Sequence, residues 1–139
     1  MFVRSLVVES MQLGQFISDE VRCSLQPNGL SIQQFNVLLI LRGCQEKPAF
    51  LKYITSRMIH KMSNTTRIVD KLLDKKLVNR KPCTENQRMV EINIAKAGLK
   101  LLTNINPLID KKENEVESRL SEKELTPHLD NFKKLFVTL

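Results

Sequence analysis

Apolar residues at Val3, Leu6, Val7, Leu13, Phe16, Ile17 and Val21 recur mostly at three- and four-residue steps, with polar Glu9, Gln12, Gln15 and Glu20 between them. That period predicts one long helix from Val3 to Leu25. The Pro27-Asn28-Gly29 run is a turn signal and closes it. Ser31, followed three residues later by Gln34, has the spacing of a capping box, in which each side chain satisfies the other residue's backbone N–H. The helix it opens is largely apolar through Phe35, Val37, Leu38, Leu39, Ile40 and Leu41, as a buried core helix is, and Gly43 is placed to end it.

After a linker at Gln45 to Pro48, Leu51 to Arg57 supplies about two helical turns, and a tight turn follows near Met58 to Lys61. In the next helix Ile68, Val69, Leu72 and Leu73 share one arc of the wheel, while Asn64, Arg67, Lys71 and Lys75 share the opposite one. Ser63 is the N-cap suggested by residue type, and Met58 and Met62 read as fillers of core gaps. Leu77 to Lys81 and Met89 to Ile94 then alternate apolar and polar around Pro82 to Arg88, which predicts a hairpin with a long tip. In its second strand Val90, Ile92 and Ile94 face one way, Glu91 and Asn93 the other. Helical spacing resumes from Ala95 through Leu99, Leu102, Ile105, Leu108 and Ile109, with Pro107 expected to kink or break the helix. Glu113, Glu115 and Glu117 accompany Val116 and Leu120. A last helix opens after Ser121 with Leu125, Leu129, Phe132, Leu135 and Phe136, and Pro127 is tolerated in its first turns. The chain is therefore mostly α with a small β-hairpin, and its 139 residues suit a single domain.

Charge changes this picture from a fold to a function class. Residues 52–88 carry ten Lys/Arg and three Asp/Glu, so the whole net charge of +7 sits there and the remainder is balanced. A basic helix followed by a basic hairpin is the electrostatic footprint of a module that tracks a phosphate backbone. Other chemistry finds little support. Cys23, Cys44 and Cys83 are an odd number at unrelated spacings, which fits a reduced compartment, and with His60 and His128 isolated no metal is expected. There is no phosphate-loop glycine pattern, no GxSxG and no catalytic constellation, so neither a cofactor nor an enzyme is expected. The longest apolar run, Val37 to Leu41, is far short of the roughly 18 residues of a membrane span. The first residues reach Glu9 too soon for a signal peptide, which leads to a cytoplasmic expectation.

The residues become specific in four pieces: Leu30-Ser31 with Gln34-Phe35 and Val37-Leu38; Asn64-Thr65-Thr66-Arg67-Ile68-Val69-Asp70-Lys71-Leu72; Lys76-Leu77-Val78 with Arg80; and Asn86-Gln87-Arg88. In this order and spacing they closely resemble the MarR family of transcription regulators, over nearly the whole chain. The resemblance implies a winged helix-turn-helix lobe at residues 30–96 and dimerisation helices at 1–27 and 98–139. It further implies a homodimer that binds double-stranded DNA at a pseudo-palindromic operator, a repressor relieved by a small-molecule effector held between the dimer helices and the DNA-binding lobe. Ser63 to Lys75 becomes the recognition helix in the major groove, with Asn64 and Arg67 reaching base edges and Ser63, Thr66 and Lys71 contacting phosphates. Arg88 becomes the wing-tip reader of the minor groove, and Asp70 and Arg80 a structural ion pair joining helix to wing. Departures from the family pattern are Asn86 for its wing aspartate, Lys76 for the glycine after the recognition helix, and Ala95 for a threonine cap.

Two alternatives stand beside that reading. One is a winged-helix module that uses its basic lobe on an acidic protein without sequence-specific DNA binding. The other is a thiol-based redox regulator, since one branch of the family senses peroxide through a first-helix cysteine and Cys23 falls near that helix's end. Ser24-Leu25-Gln26 stand where that branch carries aromatics, which favours a plain thiol.

Overall fold

The structure is a computed structural model describing residues 2–45, 47–60, 62–86, 88–119 and 121–137. Glu46, Lys61, Gln87 and Leu120, which fall in the expected linker, turn, wing tip and C-terminal pattern, lie outside the described residues. So do the side chains of Val3, Glu113, Val116, Glu117, Leu125, Leu135 and Phe136. The chain forms two compact units, Met1–Asn106 and Pro107–Leu139.

In the first unit the long helix α1 spans Phe2–Leu25, and a 3₁₀ turn at Gln26–Asn28 carries the chain to Gly29, whose φ of 64° is the left-handed value the turn requires. The expected capping box opens α2, Ile32–Gly43: the Gln34 N–H donates to the Ser31 hydroxyl at 3.1 Å and the Ser31 N–H to Gln34 Oε1 at 3.2 Å. Gly43 is the last residue of this helix, but the left-handed residue that turns the chain away is Gln45, at φ 51°. A two-residue strand β1, Ala49–Phe50, precedes α3, Leu51–Arg57, and then come α4, Thr65–Asp74, and the strands β2, Val78–Pro82, and β3, Val90–Ile94. The sheet is three-stranded and antiparallel in the order β1-β3-β2, so the hairpin acquires a third strand through Ala49 opposite Ile92 and Phe50 opposite Glu91. Within the hairpin Val78 lies opposite Ile94 and Arg80 opposite Ile92.

The core collects Val37, Leu38 and Leu41 of α2, Ile54 of α3, Val69 and Leu72 of α4, Val78 and Ile92 of the sheet, and Leu102 and Ile105 of α5, each at most 2% exposed. α5 runs Lys96–Glu117, and the expectation of a break at Pro107 is overturned: the helix continues through it. Proline removes one backbone donor, so one bond to the carbonyl four residues back is lost while the helix goes on. In the second unit α6, Glu122–Val137, begins at Ser121. Glu124 accepts from the Ser121 N–H and hydroxyl at 2.8 and 2.7 Å, bonds that hold its carboxyl below the usual range. Among the described residues no helix is long and apolar enough to cross a membrane.

The turn after α4 is built on a residue that does not favour it. Lys76 sits at φ 57°, its N–H donating to the Leu73 carbonyl at 2.8 Å, while the Leu77 N–H donates to the Leu72 carbonyl at 3.0 Å. That is the Schellman arrangement with lysine in the glycine position. A left-handed conformation costs an L-residue roughly 1–2 kcal/mol. Lys76→Gly should therefore raise unfolding stability by about 1 kcal/mol, after the added freedom of glycine in the unfolded chain is offset. The measurement is the urea midpoint at fixed protein concentration and unchanged slope. Lys76→Ala, which retains the strain, should show no such gain.

Candidate nucleic-acid interface

α4 presents two unlike faces because its apolar residues recur at helical steps. Val69 and Leu72 are buried and Ile68 and Leu73 half-buried, whereas Asn64, Thr66, Arg67, Asp70 and Lys71 are exposed. The helix begins at Thr65, not at Ser63. Asn64 Oδ1 accepts the Arg67 N–H at 3.1 Å and is the N-cap, and the buried Thr65 follows it into the first turn. Asparagine caps as well as serine does, and here its amide reaches the third helical N–H. Ser63 lies one residue outside, half-buried, its N–H closing a turn onto the His60 carbonyl at 3.0 Å. With its oxygen engaged in the cap, Asn64 keeps its amide N–H₂ to offer outward.

The expected basic stripe is shorter than the wheel suggested. Lys75 turns back toward the start of α2, where its ammonium donates to the Gly29 carbonyl and, at 3.1 Å, to Gln34 Oε1. Arg67 and Lys71 remain as the exposed cations of the outward face of α4. Lys75 instead ties the end of that helix to the capping box, a link between residues 41 positions apart that no local pattern signals.

Asp70 and Arg80 meet across α4 and β2, with Arg80 Nη1 donating to Asp70 Oδ1 at 3.4 Å and both side chains about half exposed. At that exposure such a pair contributes at most about 1 kcal/mol. Thr66, Asp70, Arg80 and Arg88 line one cleft of about 250 Å³ together with Phe50, Val69, Val90 and Ile92. Arg88 thus stands across a cleft from the first turn of α4. Its own placement depends on Asn86, whose Oδ1 accepts the Arg88 N–H at 3.1 Å and whose carbonyl accepts the Met89 N–H at 2.8 Å. Asparagine in place of aspartate leaves no ion pair with Arg88 but still folds the tip, as a local side-chain turn does.

Three features of this region had no readable signal. Asn36 of α2 accepts the Ile59 N–H at 2.9 Å and fixes the turn after α3. Arg57 lies over the Tyr53 ring at 5.6 Å, a cation–π contact on the outer face of α3. Met58 fills the core at 2% exposed, as expected, but Met62 is 99% exposed. Had the helix begun one turn earlier, residue 62 would have shared the buried face of Thr65, Val69 and Leu72; because α4 starts at Thr65, it leaves that face. Of the thiols, Cys23 is exposed on α1, Cys44 donates to the Ile40 carbonyl at 3.3 Å, and Cys83 is buried just past β2, where the wing tip begins. Among the described residues no group of three or more His, Cys, Asp or Glu is gathered to hold a metal.

The comparisons with known proteins converge on this arrangement. Residues 30–90, from the start of α2 to the first residue of β3, match the model of the MarR family. The HTH-type transcriptional regulator MhqR of Bacillus subtilis is 29% identical over 119 residues, 86% of this chain and 81% of that protein. The fold is similar to that of S. aureus MepR in its DNA complex, with a TM-score of 0.86, 20% identity, and 96% and 97% of the two chains covered. It is similar also to that of mutant MarR from E. coli complexed with operator DNA, with a TM-score of 0.84, 20% identity, and 96% and 94% covered. A helix-turn-helix with a basic outward face and a wing beside it is thus similar in sequence, over residues 30–90, to the MarR family, and the whole chain is similar in fold to MarR structures.

Proposed function

We propose that the chain works in the cytoplasm as a homodimeric, sequence-specific repressor that reads a pseudo-palindromic operator in double-stranded DNA and is released by a small-molecule effector. The observation that carries this reading is the outward face of α4. Asn64, Thr66, Arg67 and Lys71 are exposed there opposite buried Val69 and Leu72, in the segment that holds the chain's entire net charge. Residues 1–139 act as one MarR-like domain, residues 30–96 contacting DNA and residues 1–27 and 98–139 pairing the two copies. Leu6, Val7, Met11, Leu13, Phe16 and Ile17 of α1, each 48–71% exposed, are the apolar surface that a second copy would cover. Dimeric helix-turn-helix proteins bind half-sites about one helical turn apart. In this mechanism effector binding sets the separation of the two recognition helices, and a mis-spaced pair cannot occupy both half-sites.

Within each lobe Arg67 and Asn64 reach base edges, Ser63, Thr66 and Lys71 hold phosphates, Arg88 probes the minor groove, and Asp70 with Arg80 keeps helix and wing in register. The MepR and MarR structures bound to DNA support the DNA-binding reading, since proteins of this fold engage duplexes. An arginine on base edges supplies specificity, whereas a lysine on phosphate supplies sequence-independent affinity.

Arg67→Ala is expected to cost about 1–3 kcal/mol on the operator and to relax its base preference, while Lys71→Ala weakens all sequences alike and lowers the salt slope by about one unit. Salt-titrated anisotropy on the gene's own upstream DNA and on random DNA separates the two. Equal losses on both duplexes for Arg67→Ala would remove its base-reading role, and a wild-type preference near one would turn the reading toward a protein-interaction module. At the wing, Asn86→Ala should speed hydrogen exchange at the Arg88 amide and weaken DNA binding, with global stability within about 0.5 kcal/mol of wild type. Asn86→Asp, which keeps the acceptor, should preserve both. Sedimentation should give a dimer at micromolar concentration that a Leu13→Glu, Phe16→Glu double variant shifts toward monomer; a stable wild-type monomer contradicts the model.

A further inference from the structure

We infer that Met62 is a specificity-determining residue of the DNA-reading surface, one that packs its thioether side chain on the C5-methyl group of a thymine in the major groove. The inference rests on the DNA-binding function proposed above. Met62 is 99% exposed, and Ile59, in the same turn, is 71% exposed. This turn is held at both ends. The Ile59 N–H is fixed by Asn36 Oδ1 at 2.9 Å, the Ser63 N–H by the His60 carbonyl at 3.0 Å, and Asn64 then caps α4 through the Arg67 N–H at 3.1 Å. Two large apolar side chains are thus exposed between these bonds, two residues ahead of the N-cap in the case of Met62.

Folding does not account for them, since side chains so exposed bury little surface in this chain. Phosphate contact does not either, since a thioether and a branched alkyl group give a phosphate oxygen no donor. Their surroundings nevertheless select nucleic acid. Residues 52–88 hold ten Lys/Arg against three Asp/Glu, and the turn lies between Arg57 and the exposed Arg67. On a major-groove edge the apolar group on offer is the thymine methyl, and side chains at the start of a recognition helix are those that lie against base edges. Methionine suits the task, because an unbranched chain with three rotatable bonds can reach and conform to a methyl group whose position the backbone alone would not match. The contact reports T against C at one position of each half-site, which no cation of the stripe can do by charge.

The test uses full-length protein and the duplex obtained by binding-site selection from genomic fragments. Each thymine is replaced in turn by deoxyuracil, which lacks only the methyl group, and affinity is read by anisotropy at fixed salt. At one thymine of each half-site the wild type should lose about fourfold in affinity per replacement. Met62→Ala, and Met62→Gln with its similar length and polar tip, change both copies of the dimer and should lose on the thymine duplex what the wild type loses when both thymines are replaced, about sixteenfold, and be indifferent to deoxyuracil there. Deoxyuracil effects identical in wild type and Met62→Ala at every position would overturn the inference while leaving site-specific binding intact. A wild type that does not prefer the selected duplex to random DNA would instead strike the proposed function, and this contact with it.

Discussion

The peptide of Leu77 is the junction on which the geometry of the DNA-facing lobe depends. Its N–H closes α4 by donating to the Leu72 carbonyl, and its carbonyl accepts the Ala95 N–H at 3.0 Å at the start of α5. The same carbonyl oxygen lies where a Cβ on Gly98 would stand 2.3 Å away, so the first turn of α5 can rest there only because that residue is glycine. The next residue, Val78, begins the wing. One buried peptide thus orients the recognition helix, the wing and the helix that leads away from the lobe. Lys76 is held left-handed immediately before it, so the strain of that residue is the local cost of making the junction. Ala95 brings no side-chain oxygen to the start of α5, and what fixes it there is its own N–H on the Leu77 carbonyl.

Much of the lobe could be read because its elements are amphipathic and punctuated. The capping box at Ser31 and Gln34, the turn at Pro27 to Gly29, the short helix Leu51–Arg57 and the two wing strands all follow from local spacing, and each appears where the spacing put it. What escaped was decided by partners distant in the chain. β1 is two residues long, too short to show alternation, and exists because β3 offers it an edge. Pro107 reads as a breaker when only the lost N–H is considered, whereas the loss of one bond leaves the rest of the ladder and the helix continues. The N-cap moved from Ser63 to Asn64 because both residue types cap equally well, and the burial of Thr65 decides between them.

The candidate site shows the same division between local pattern and tertiary use. A helical wheel places Asn64, Arg67, Lys71 and Lys75 on one face and cannot say which of their polar atoms are already spent. Lys75 is committed to Gly29 and Gln34, and Asn64 has given its oxygen to the cap, so the surface available to a duplex is narrower and less charged than the pattern implied. The same economy shapes the wing, where Asn86 serves the backbone of Arg88 instead of its guanidinium. Asn64 and Asn86 each hold the backbone of a neighbouring arginine, Arg67 and Arg88.

That economy bears on how a lobe of this kind discriminates. A net charge of +7 concentrated in residues 52–88 attracts any duplex, with an affinity that falls steeply as salt is raised, and the proposed pairing of two copies would double that charge. Attraction of that kind carries no sequence information, and more charge on α4 would strengthen binding to random DNA as much as to an operator. On the proposed reading the preference comes from groups that gain only against a particular base edge: the guanidinium of Arg67 as a directed donor, the remaining amide protons of Asn64, and apolar surface. Placing uncharged contacts at the leading end of the helix, where the backbone is pinned by Asn36 and Asn64, puts them where a displacement of the helix costs most. A change in the spacing of two such lobes would then remove the sequence-dependent part of the binding energy first, leaving a weak, salt-sensitive association from which a repressor can leave its site.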